Sequence, residues 1–131
     1  MVEYITTFFL DPKYQTSRLR TAFIFYLLII GLGSIPHARA AIGQLASGVV
    51  LHSLAYSLIT ILLFSGIKRN LFKKSTQTLL TVALMGALDE CVQSFFSYRT
   101  ASIGDWLVDC SASLITTFLL FMIWPVNTRS T

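Results

Sequence analysis

Charge is what this chain has least of. Ten basic and six acidic residues make up 12% of its 131 positions, too few to cover a water-exposed surface. Hydrophobic residues reach 54%, against roughly 45–50% in soluble domains. Mean hydropathy is +0.68. These figures exclude intrinsic disorder and an ordinary soluble domain, and they point to lipid as the surrounding solvent. Two cysteines, Cys91 and Cys110, are too few for a disulfide framework and lack metal-site spacing, so both are expected to be free, buried thiols. The net charge of +4 is not gathered on a basic face with interleaved aromatics, which argues against nucleic acid as a partner. No repeat, low-complexity segment or second soluble domain interrupts the chain.

Long apolar runs take the place of charge. The first spans Thr21 to Ile35, the second Leu45 to Ile67, the third Ser75 to Tyr98 and the fourth Ser102 to Trp124. Each longer run suffices for ~30 Å of hydrocarbon at about 1.5 Å per residue. The sequence therefore predicts an all-α integral membrane bundle of four transmembrane helices over residues 21–125. A short N-terminal interfacial segment (1–20), with a turn at Asp11-Pro12, precedes it, and a tail (126–131) follows. Ala38-Arg39-Ala40 resembles a signal-peptide cleavage site, but the long polar segment before Thr21 favours a retained first helix.

Basic residues set the expected orientation. Four spans place Lys13, Arg18, Arg20, Lys68, Arg69, Lys73, Lys74 and Arg129 on one side, and only Arg39 and Arg99 on the other. Both termini are thus expected in the cytoplasm, with the protein multi-pass in the membrane. The loops around 36–46 and 97–101 then face outward.

Four of the six acidic residues (Asp89, Glu90, Asp105 and Asp109) lie within a short stretch. His52/Tyr56, Asp89/Gln93 and Asp105/Asp109 are i,i+4 pairs, each on one helix face and all in the outer halves of their helices. An unpaired charge at the centre of a membrane helix costs about 2.5–3.5 kcal/mol on insertion scales. The three faces should therefore converge on one polar, hydrated cavity open to the outside, with Arg99 beside it. Gly86, Ala87, Ser111, Ala112 and Ser113 would allow close packing around it. The ligand-binding set expected there is His52, Tyr56, Asp89, Glu90, Gln93, Arg99, Ser102, Asp105 and Asp109. Tyr98 and Trp106 read as interfacial anchors, and His37 and Arg39 as solvated loop residues.

The ordered elements His52-x-x-x-Tyr56, Asp89-Glu90-x-x-Gln93 and Arg99-x-x-Ser102-x-x-Asp105, continuing to Asp109 and Ala112, resemble the VanZ-like family of small bacterial membrane proteins. The likeness runs over nearly the whole chain from Thr21 onward. It departs at Gly48-Val49, where the family often carries Asp-Lys, at Asp109, where asparagine is usual, and at Ala112, where glycine is usual. The resemblance implies a cell-envelope role: low-level protection against teicoplanin-type glycopeptides by reduced antibiotic binding at the cell surface. Membrane lipid and a lipid-linked or cell-wall component would be the partners.

Two other functions compete. A membrane-embedded hydrolase or transferase acting on a lipid-linked phosphate would draw its general acid and base from His52, Asp89, Glu90 and Asp105. His52, Glu90, Asp105 and Asp109 are the metal-ligand candidates, and their oxygen-rich chemistry suits a divalent cation such as Mg²⁺, Mn²⁺ or Ca²⁺. No sequence motif names a reaction or a cofactor. Ion or proton movement ranks last, because the inner halves of the second and fourth runs offer mainly hydroxyls: Ser57, Thr60, Thr116 and Thr117.

Overall fold

The structure, a computed structural model, describes residues 7–36, 46–99 and 101–124. His37, Arg39, the Ala38-Arg39-Ala40 site and Arg129 lie outside the described residues. A helical turn at 7–10 leads into a 3₁₀ turn, Pro12–Tyr14, whose cap is Asp11: its Oδ1 accepts from Lys13 N at 2.8 Å. Four helices follow: α1 (Gln15–Gly33), α2 (Gly48–Gly66), α3 (Leu71–Ser94) and α4 (Ile103–Ile123). No strand occurs among the described residues.

Local side chains set the helix starts. Ser47, Asn70 and Ser102 each turn a side-chain oxygen onto a backbone N–H of the following first turn. Asn70 starts α3 four residues before the expected Ser75, so Lys73 and Lys74 lie within the helix. At the other end α3 stops at Ser94 rather than Tyr98, because the chain tightens into turns through Phe95 and Arg99. The first helix begins at Gln15, six residues ahead of Thr21, and carries Arg18 and Arg20 within it.

The helices run alternately up and down. Tyr26 of α1 donates to Met85 O of α3 at 2.8 Å, Ser57 of α2 meets Thr116 of α4 at 3.1 Å, and Gly66 at the end of α2 abuts Leu19 near the start of α1. One end of the bundle therefore gathers Lys13, Arg18, Lys68, Arg69, Lys73 and Lys74, the basic segregation expected from the sequence. His52, Arg99 and Asp105 belong to the opposite end.

The interior is unusually polar and the exterior unusually apolar. Arg18, Thr60, Lys74, Thr78, Asp89, Glu90, Gln93, Asp109, Ser113 and Thr117 are buried, while Leu54, Leu84, Phe118 and Met122 are each more than 60% exposed. A smaller apolar core of Ala22, Ile59, Leu62, Leu63, Val82 and Met85 holds the centre. This inversion of the soluble pattern is what an apolar solvent produces, since lipid carries no penalty for exposed Leu and Phe. Three helices, Pro12–Gly33, Gly48–Gly66 and Ile103–Ile123, are long and apolar enough to cross a membrane. Helix α3 matches them in length but carries Lys73, Lys74, Asp89 and Glu90, and it is not among those three.

Candidate functional site

At the end away from the basic cluster, a cavity of about 340 Å³ opens between the helices. That is within the ~300–1,000 Å³ typical of small-ligand pockets. Its polar wall is His52 and Tyr56 from α2, Asp89 and Gln93 from α3, Arg99 from the following turn and Asp105 from α4. Its apolar wall is Ile29 and Leu32 from α1 with Leu51 and Ala55 from α2. Six of the nine residues expected from the sequence thus line one space.

Three of the four acids have a partner of their own. Asp109, fully buried, holds His52: Oδ1 lies 2.9 Å from Nδ1, so the carboxylate accepts from the ring and turns its other nitrogen elsewhere. Tyr56 donates to Asp89 Oδ2 at 3.3 Å and lies parallel to the His52 ring, with centroids 6.1 Å apart. Glu90 does not line the cavity. Its Oε2 accepts from the backbone N–H of Ser102 at 2.6 Å, while Ser102 Oγ caps Asp105 N at 3.3 Å. Glu90, Ser102 and Asp105 therefore gather at the N-terminus of α4, where exposed N–H groups and the helix dipole favour negative charge. This explains how four carboxyl groups share the site with one arginine.

Arg99 reaches across to α1. Its Nη1 donates to Gly33 O at 2.9 Å, and a Cβ at Gly33 would meet that nitrogen at 2.9 Å, so glycine makes the approach possible. Tyr98 donates its hydroxyl to Ser34 O beside it. Together they bind the carbonyl end of α1, a favourable place for a cation. Tyr98 and Trp106, expected only as interfacial anchors, both tie helices together: Trp106 Nε1 donates to Ala83 O at 3.0 Å.

Packing around the site uses part of the expected small-residue set. Gly86 lies against α4, where a Cβ would come 3.1 Å from both Asp109 Oδ2 and Trp106 Cδ1. Ala112 and Ser113 are buried, whereas Ala87 and Ser111 face outward. The cysteines are free, but neither is buried: Cys91 is exposed and Cys110 half-buried. Both lie off the acidic faces of their helices, which turns them toward the apolar exterior.

Among the described residues no three His, Cys, Asp or Glu side chains converge on a point that could hold a metal ion. The four metal candidates are divided by their roles: His52 and Asp109 bind each other, Glu90 serves the start of α4, and Asp105 faces the cavity. The apolar wall was invisible to sequence reasoning, because Ile29 and Leu32 look like any other lipid-facing residues. Leu51 and Ala55 carried a faint signal, since they flank His52 on the same turns of α2.

Comparison with known proteins found no matching family model, no matching curated protein and no matching solved structure.

Proposed function

We propose that this chain is a VanZ-like, four-span protein of the bacterial inner membrane, with both termini cytoplasmic and the His52 cavity facing outward. In this reading the cavity takes a lipid-linked or cell-wall component and lowers glycopeptide binding at the cell surface. The observation that carries it is the two-sided lining of the cavity. Carboxylates, an imidazole and a guanidinium face aliphatic side chains across one space, which suits a ligand with a polar head and an apolar chain. The motif order from His52 to Asp109 and the segregation of basic residues to the opposite end support the family and the orientation.

Expression in a teicoplanin-susceptible bacterial host tests it. The unmodified chain raises tolerance and lowers labelled teicoplanin at the surface. Arg99→Ala and Leu51→Trp, which alter the two walls, lose both effects at equal protein levels, whereas Glu90→Gln, outside the lining, keeps them. Full protection by both wall variants contradicts the reading.

A second reading rests on one specific feature: His52 is held by a buried carboxylate and borders the cavity, an arrangement suited to a general base. It makes the protein a hydrolase or transferase of a lipid-linked phosphate. Phosphate release from such lipids by the purified chain, abolished in His52→Gln, distinguishes it from a binding protein.

A further inference from the structure

Beneath the cavity a file of buried polar atoms continues toward the basic end. Asp109 Oδ2, Ser113 Oγ, Thr117 Oγ1 and Thr78 Oγ1 are all buried and none has a hydrogen-bond partner in the protein. Asp109, Ser113 and Thr117 are spaced i, i+4, i+8, so they stack on one face of α4, with about 6 Å between successive residues. Gly86 fixes the register of the antiparallel α3, because it faces Asp109 directly. Eight residues along α3 from Gly86 comes Thr78, and eight residues along α4 from Asp109 comes Thr117. Both are therefore about 12 Å below the Gly86–Asp109 contact. Lys74 follows one turn beyond Thr78, buried, with Nζ 4.2 Å from the Trp124 ring centroid and 4.8 Å from that of Phe64.

Orphaned hydroxyls in a protein interior are normally satisfied by water, which makes two to four hydrogen bonds at such sites. Here the sites line up one beneath another, and ionisable groups stand at both ends. His52 holds Asp109 beside the cavity, with Asp89 and Glu90 as charged neighbours, and Lys74 stands at the other end with Arg18 as its charged neighbour. Other hydroxyls nearby are spent: Thr60 donates to Tyr56 O at 2.6 Å, and Thr116 to Ser57 at 3.1 Å. Among the described residues, the buried hydroxyls without a partner are those of Thr78, Ser113 and Thr117, all on the line.

We propose that Asp109, Ser113, Thr117, Thr78 and Lys74 frame a water-filled proton path that joins the cavity to the opposite face of the membrane. A proton enters from cavity water at the His52–Asp109 pair and passes between hydroxyls and water. Lys74 releases one at the far end, so no bond in the protein is consumed. The serine and threonine side chains serve because each hydroxyl both donates and accepts. This activity does not depend on which molecule the cavity recognises.

The full chain, reconstituted in liposomes with a pH-sensitive dye inside and a valinomycin-set potassium potential, provides the test. The unmodified protein carries protons inward above the leak of protein-free vesicles, and replacing sodium with choline leaves the rate unchanged. Thr78→Val with Thr117→Val keeps side-chain volume and returns flux to the protein-free level. Asp109→Asn does the same to flux. Flux from the unmodified protein no greater than that of empty vesicles overturns the proposal, as does undiminished flux in a folded double-valine variant. Teicoplanin protection, scored separately on the same variants, reports on the cavity reading and not on this one.

Discussion

His52 and Asp109, 57 residues apart in sequence, meet at 2.9 Å between Nδ1 and Oδ1 and join α2 to α4 at the base of the cavity. Asp109 is wholly buried, whereas His52 keeps 16% of its side chain exposed where it borders the cavity. Removing one partner of a buried pair strands the other, at about 3–5 kcal/mol, whereas replacing both with apolar groups costs far less. Because His52 borders a polar space, Asp109→Leu should cost about 3 kcal/mol, the lower end of that range. The His52→Leu, Asp109→Leu double variant should recover most of the loss. Thermal unfolding of the four-member cycle in detergent measures the coupling, and additive losses would contradict it.

Glu90 gives a sharper separation of structure from ligand contact. Glu90→Gln keeps an acceptor for the Ser102 N–H and should leave stability and cavity binding almost intact. Glu90→Ala loses a charge-assisted bond, about 1.5–3 kcal/mol, and loosens the start of α4. Hydrogen exchange over 102–106 should accelerate in the alanine variant and remain slow in the glutamine variant.

How far this site was readable follows from the kind of signal each residue carries. His52, Tyr56, Asp89, Gln93, Arg99 and Asp105 were legible because a polar residue in an apolar run must find a reason for its cost. Their i,i+4 spacing then put them on common faces. The division of labour was not legible: nothing in Asp89-Glu90 says that one carboxylate faces the cavity and its neighbour caps a helix twelve residues away. That depends on the turn at Phe95–Arg99, which is set by packing. Nor did the sequence reveal that Thr117, set aside as one of several hydroxyls, is buried in line with Ser113 and Asp109. The helix starts at Gln15 and Leu71 were missed for a simpler reason. Apolar runs mark where lipid contact begins, while caps such as Asn70 mark where helix begins.

Gly86 leaves little room for a side chain. A Cβ there would stand 3.1 Å from Asp109 Oδ2 and Trp106 Cδ1, two groups already held by His52 and by the Ala83 carbonyl. Gly86→Val should cost about 1–3 kcal/mol by overpacking and should push α3 from α4. Tryptophan fluorescence, compared with a Trp124→Phe background, reports the displacement of Trp106. An unchanged spectrum and melting temperature would refute the close contact.

Arg18 pins the N-terminal turns to the bundle. It donates to Phe8 O, to Asp11 O at 3.1 Å and to Ser65 O at 2.8 Å near the end of α2. Those carbonyls offer the negative end of α2 and of the 7–10 turn to a cation. Arg18→Met keeps the aliphatic stem and removes these bonds, worth about 1.5–3 kcal/mol. Trypsin should then cut at Lys13 markedly faster than in the unmodified protein, with the helices otherwise intact.

The central question is whether the cavity holds an amphipathic envelope molecule. Native mass spectrometry of the chain, released from the membranes of a bacterial expression host, measures this directly. The unmodified protein should carry a defined lipid adduct that Leu51→Trp, filling the apolar wall, loses while remaining folded. No adduct on the unmodified protein, or the same adduct on both, would contradict it.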